Sequence, residues 1–157
     1  MKLVVINILF IITISCGTSK KENTSINDNK NVDNHLEKEE EFELIFSSEY
    51  GGNDTFSHLV INTSTDLKKE LERLNISNEL SDLNNFDFDK NAILFLHLGQ
   101  KNTGGYAISI DKIEWINDEI VIYSNWIAPE KGENVTMALT NPFSVYRIPK
   151  AKKYSIK

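Results

Sequence analysis

The chain has a single cysteine, Cys16, so no disulfide can form within it. Its three histidines, His35, His58 and His97, stand far apart, and neither an HExxH run nor a paired Cys/His spacing accompanies them. A structural or catalytic zinc site therefore has no support, and no other metal or cofactor is expected. Basic residues are scarce as well: 17 Lys and Arg oppose 23 Asp and Glu, for a net charge of −6. The adjacent basic pairs Lys20-Lys21, Lys68-Lys69 and Lys152-Lys153 never extend into a patch. Nucleic-acid binding, which needs clustered cations to displace counterions, is not expected. No GxSxG elbow is present, and no repeat with a period of 20 to 50 residues is visible.

Long apolar runs are also few, and the first is the informative one. Met1-Lys2 is followed by LVVINILFIITIS, residues 3–15, which is almost wholly apolar. That run is too short to span a bilayer comfortably and reads as the core of a signal peptide. Ser15 then precedes Cys16, an arrangement that resembles a bacterial lipoprotein signal in which the cysteine becomes the lipidated N-terminus. Thr13 stands three residues before the cysteine, where leucine is usual. The alternative is an ordinary cleaved signal with Cys16 near the cut. Residues 17–41 carry Ile26, Val32 and Leu36 among Asn, Lys, Glu and Ser, too little apolar area to offset chain entropy. The expectation is a signal over 1–15 and a lipidated Cys16 followed by a disordered tether to residue 41. Together they place the protein in the bacterial cell envelope, membrane-anchored on its periplasmic or surface face.

A single globular domain is expected over 42–157. The overall 40% hydrophobic content is enough for a modest core. Alternating FELIFS (42–47) and SHLVIN (57–62) predict strands. In STDLKKELERLN (64–75), Leu67, Leu71 and Leu74 fall on one helical face. Ser64 or Thr65 is a suitable cap there, Asp66 favours the first turn, and Asn75 is a suitable end. Residues 76–90 read as a polar connection with a short helical turn around Leu80 and Leu83. NAILFLHLG (91–99) predicts a strand buried on both faces. Further strands are predicted at 106–110, at 112–126 as a pair turning on Asn117-Asp118, at VTMAL (135–139) and at FSVYRI (143–148). The fold class is α+β, with six to eight strands and one principal helix near 64–75. Its sheet is mainly antiparallel, or a sandwich-like variant of that arrangement.

The stretch GQKNTGGYAISI, residues 99–110, concentrates three glycines before a strand. It lacks the GKS/T ending of a phosphate-binding loop and precedes a strand rather than a helix. Strand, turn formers and strand predict a hairpin, with Gly104-Gly105 supplying positive φ. Glu114, Asp118 and Glu119 flank the other predicted turn, where charge is expected for solubility alone, and His97 reads as a core residue. Tyr106, Trp115, Tyr123, Trp126 and Phe143 are strand aromatics, and any of them at a loop edge suits a partner contact.

Residues 86–150 resemble the C-terminal domain of the PrcB family. The G-x-K-x-T-G-G-Y core of that family is matched by Gly99, Lys101, Thr103, Gly104, Gly105 and Tyr106. Its closing T-x-P-[FY] strand, ending Ile-Pro-Lys, is matched by Thr140, Pro142, Phe143 and Ile148-Pro149-Lys150. Asn102 stands where the family often has proline. The resemblance implies an accessory lipoprotein of a surface protease complex, binding protein rather than catalysing, with an envelope protein such as a protease as its partner. The expected contact loop is Lys101, Asn102, Thr103, Gly104, Gly105 and Tyr106, with Asn141, Pro142 and Phe143 as a second loop. Residues 102–106 are also similar to the end of the N-P-T-T-G-Y loop of chagasin-type protease inhibitors. Asn141-Pro142-Phe143 is loosely similar to their R-P-[WF] loop, while their G-x-G-G loop has no counterpart. A protease inhibitor presenting the 99–106 loop is thus the alternative function.

Overall fold

A computed structural model of the chain describes residues 42–157. The expected signal segment, Cys16 and the tether lie outside the described residues. The elements run β1 (Glu43–Ser48), β2 (Ser57–Ile61), α1 (Ser64–Leu74), β3 (Asn91–His97), β4 (Ala107–Ile116), β5 (Glu119–Ile127), β6 (Phe143–Pro149) and β7 (Lys153–Ile156). A 3₁₀ turn at Ser81–Asn85 supplies the helical turn expected after α1.

Helix α1 forms where the apolar spacing places it, burying Leu67, Leu71 and Leu74 on one face. Its cap is Thr63, just before the residues expected to cap it. The Thr63 hydroxyl accepts from the Asp66 backbone N–H at 3.2 Å and donates to the Asp66 carboxylate at 2.8 Å. Three consecutive hydroxyl residues occupy 63–65, and only Thr63 stands three positions before an acidic side chain able to reciprocate. Asn75 ends the helix in the left-handed conformation at φ 56°.

The strands form two sheets rather than one. The first has the order β1-β6-β3-β2 and is antiparallel throughout, whereas the second has the order β4-β5-β7 with β7 parallel to β5. Of the two architectures open from sequence, the sandwich-like variant of α+β is the one adopted, with the helix as a third layer. Ile93, Phe95, Phe143 and Val145 meet Leu67, Leu71 and Leu74 on one face of the first sheet. Ala92, Leu94, Leu96, Tyr146 and Ile148 meet Ile108, Ile110, Ile120 and Ile122 on the other. Strands β3 and β6 lie in the middle layer, so their runs lack a polar face.

Three strand expectations are corrected. Residues 106–116 contain one continuous strand, broken in register at Asp111, where β4 opposes β5 irregularly between Ile110 and Lys112. VTMAL forms no strand: Met137 and Leu139 are exposed, and the Thr136 carbonyl instead accepts from the Gly104 N–H of the 99–106 crossing. A seventh strand, β7, arises from KYSI, whose Tyr154 and Ile156 pack against the inter-sheet core.

The expected hairpin at 99–106 is also absent, because β3 and β4 belong to different sheets. Both flanks of β3 are already occupied, by β6 and β2, so the chain crosses to the second layer instead. Two hydroxyls of β6 fix that crossing. Ser144 donates to the Ile108 carbonyl at 2.7 Å, and Tyr146 accepts from the Ile110 N–H at 3.3 Å. Strand β4 therefore runs alongside β6 in the same direction. The starts of β4 and β6 mark one end of the domain, and Phe42, Pro149 and the β4–β5 turn mark the other.

His97 is an ionisable side chain buried in the middle layer. It stacks on Phe143 at 5.7 Å, and its Nδ1 accepts from the Asn53 N–H at 3.3 Å, while its Nε2 is buried without a partner among the described residues. Burial chiefly, with the Arg73 charge second, holds its pKa below 6.5 despite the opposing effect of Glu70. Because the folded value is depressed, the unfolded chain binds the proton more readily. The His97 contribution is thus complete above pH 6.5 and declines as pH falls through the folded value. Urea titrations should show stability falling below pH 6.5 with a slope of up to about 1.4 kcal/mol per pH unit. His97→Gln should flatten that slope. The paired carboxylates Asp66, Glu114 and Glu119, whose pKa values are also depressed, act only in the more acidic carboxylate range.

Candidate functional site

The end at which β3 leaves the first sheet and β6 enters it gathers three connecting segments, 49–56, 99–106 and 128–142. Beyond β3, Leu98 donates to the Pro142 carbonyl at 2.9 Å, and Lys101 and Thr140 exchange backbone hydrogen bonds at 2.8 and 3.0 Å. Thr140 is completely buried and its hydroxyl donates to the Thr103 carbonyl at 2.9 Å. Gly104 donates to the Thr136 carbonyl at 3.0 Å. The two stretches predicted as separate loops are thus one hydrogen-bonded assembly.

Segment 49–56 ties the assembly together. The Glu49 carboxylate accepts from the Gly105 N–H at 2.9 Å, while its carbonyl accepts from the Asn141 N–H at 2.9 Å. Asn141 in turn accepts from the Gly52 N–H at 2.9 Å and donates through Nδ2 to the Asp54 carboxylate at 2.9 Å. Glu49 went unremarked in the sequence because its partners lie more than fifty residues away, and no local pattern encodes such a clamp.

The glycines have different reasons to be there. Gly105 adopts φ +84° and so occupies the left-handed region that disfavours side chains. Gly104 has no positive φ, contrary to expectation, and is constrained by space: a Cβ there would strike the Thr136 hydroxyl and approach the Glu49 carboxylate to 3.1 Å.

Within the first predicted loop, Asn102 is exposed, Lys101 and Tyr106 are half-buried, and Gly104 is buried. The Tyr106 ring stacks on Trp126 at 6.3 Å with a 16° interplanar angle, and the Lys101 ammonium lies 5.8 Å from each ring centroid. Trp126 nonetheless leaves 58% of its surface in solvent. Tyr50 and Phe56 from segment 49–56 are exposed at this end, as are Met137 and Leu139 from the VTMAL stretch. The second predicted loop requires correction. Pro142 and Phe143 are buried, and Phe143 also packs on Phe46 at 5.8 Å, so both serve the core. The Asn141 side chain is occupied by Asp54.

Aromatic, methionine and lysine side chains brought together in this way offer contact area and a desolvatable cation to a protein surface. Acid/base chemistry finds no comparable constellation. Glu114, Asp118 and Glu119 are each paired with a lysine, Lys112, Lys152 and Lys153 respectively. Hydrogen bonds from those lysines hold Glu114 and Glu119 below the usual carboxylate range, in the ionised form. Among the described residues no group of three or more His, Cys, Asp or Glu side chains is placed to hold a metal ion.

Comparison with known proteins bears on this same region. Residues 93–149 match the family model described as PrcB C-terminal. The match runs from within β3 to the end of β6 and includes the 99–106 crossing, the Trp126 strand and the Thr140–Phe143 stretch. No curated protein gives a significant match, and neither does any solved structure. From the middle of β3 to the end of β6, the chain is thus similar to the PrcB C-terminal domain.

Proposed function

We propose that the protein is a lipid-anchored, non-enzymatic binding subunit of the bacterial cell envelope that docks another envelope protein, a surface protease being the class of partner the family suggests. The observation that carries this reading is the exposed Trp126 stacked on Tyr106 beneath Lys101, on loops cross-tied by Glu49 and Asn141. Such a face is held by backbone hydrogen bonds rather than by its own burial, which is how a preorganised contact surface differs from a core. Tyr50, Phe56, Met137 and Leu139 extend it. The inhibitor reading keeps the 99–106 loop but loses its second loop, since Pro142 and Phe143 are buried. Cys16 is the proposed lipid attachment, which supplies the membrane contact.

A photo-crosslinker replacing Met137 should capture an envelope protein from intact cells, and the same probe at Lys68 on the helix should not. Capture from both positions, or from neither, would sink the docking face. Trp126→Ala should weaken the captured complex by about 2 kcal/mol or more, the scale of a binding hot spot. Because Trp126 is largely exposed, the same change should alter folding stability by only about 0.5 kcal/mol. Gly105→Ala, forced into the left-handed region, should cost about 1–3 kcal/mol of stability and weaken the complex too. Inhibition of a papain-like protease by the full chain, abolished in the Gly105→Ala variant, would favour the inhibitor reading instead. Cys16→Ala should abolish palmitate labelling and release the protein from membranes. Unchanged labelling would defeat the lipid anchor.

A further inference from the structure

The end of the domain opposite the Trp126 face also exposes apolar side chains. There the β4–β5 hairpin turns on Asn117 (φ 57°) and Asp118, and it leaves Trp115 and Ile116 with 41% and 47% of their surface in solvent. Beside Trp115 lies a recess of about 440 Å³ lined by Asp89, Lys90, Asp118, Lys150 and Lys152. Lys152 pairs with Asp118 at 2.6 Å, Lys153 with Glu119 at 2.7 Å, and Lys150 donates to the Phe88 carbonyl at 2.7 Å. An aromatic–aliphatic tip is thus rimmed by long cationic side chains whose charge is partly offset. Tryptophan in such a setting suits the boundary between acyl chains and headgroups, and lysine stems can reach past it to the headgroups.

This is also the end at which the chain enters the domain. Phe42, the first described residue, packs edge-on against Tyr146 at 6.2 Å, and Glu43 opens β1 opposite Arg147 near the end of β6. Twenty-five residues, 17–41, separate Cys16 from that point. An anchor at Cys16 keeps the Trp115 end near the bilayer at high effective concentration.

We propose that Trp115 and Ile116 form a second, non-covalent contact with the lipid surface, seating the domain with its tethered end on the bilayer and its Trp126 face directed away. The proposal rests on the lipid-anchor reading of Cys16. It commits to the bilayer rather than a second copy of the chain because the chain leading to Cys16 enters the domain at this end.

The protein has two tryptophans, Trp115 and Trp126, one at each end, and each can therefore report separately. Full-length lipidated Trp126→Phe and Trp115→Phe variants would be placed in vesicles containing phospholipids brominated on their acyl chains, with flotation of the same samples as the measure of anchorage. Trp115 emission, read in Trp126→Phe, should fall at least about twofold relative to unbrominated vesicles, as expected for an interfacial indole. Trp126 emission, read in Trp115→Phe, should be unchanged. Protein that floats with neither tryptophan quenched, or with both quenched equally, overturns the inference and leaves the anchor standing. Trp115 shielding that tracks protein concentration and ignores bromination assigns the tip to a second copy and likewise overturns it. Failure to float defeats the anchor reading and this inference together.

Discussion

Burial of the β3–β6 strand pair on both faces is the constraint from which the rest of the domain follows. Ile93 and Phe95 must meet an apolar layer on one side while Ala92, Leu94 and Leu96 must meet another on the opposite side. A single sheet with one helix covers only one of these faces, so the chain has to supply a second sheet. With β6 and β2 flanking β3, the next strand cannot return beside it, and the 99–106 segment becomes a crossing between layers rather than a hairpin. The buried hydroxyls of Ser144 and Tyr146 are compatible with this core because each is hydrogen-bonded to a β4 backbone group.

The crossing explains the character of the loop end. A hairpin would have satisfied its own backbone locally. A crossing must find partners from elsewhere, and it finds them in Thr136, Thr140 and Glu49. Those long-range bonds hold Tyr50, Phe56 and Tyr106 at one end of the domain, where Trp126 stays open to solvent. Buried Phe143 and exposed Trp126 show how the same residue class divides between core and surface once the layers are set.

Seen along the strands, the domain is polarised. Chain entry at Phe42, the Trp115 tip and the lysines of 150–153 share one end, and the Glu49–Gly105–Asn141 network and the Trp126 face share the other. A subunit that holds a membrane with one end and a protein with the other would use such a layout. Of the proposed contacts, the one between Trp115 and lipid depends on that polarity.

The PrcB resemblance, the α+β class, helix α1 and most strands were legible in sequence, because each rests on local periodicity or a local motif. Leu67, Leu71 and Leu74 repeat at helical spacing, and NAILFLH declares a doubly buried strand within seven residues. Tyr106 and Trp126 were recognisable as candidate contacts, but their stacking was not, since it requires β4 and β5 to pair. VTMAL misled because alternation records only the order of side chains: Met137 and Leu139 stay exposed, while Thr136 and Thr140 bond the 99–106 crossing. Strand β7 was missed for the converse reason: KYSI is too short and charged to stand out, and it becomes a strand by adding to β5. Which segments could be helix or strand was readable from local order alone, because those preferences are set by near neighbours along the chain. Which loops meet, which aromatic residues stay exposed and at which end Phe42 enters were set by the packed layers, because those depend on contacts between residues far apart in sequence.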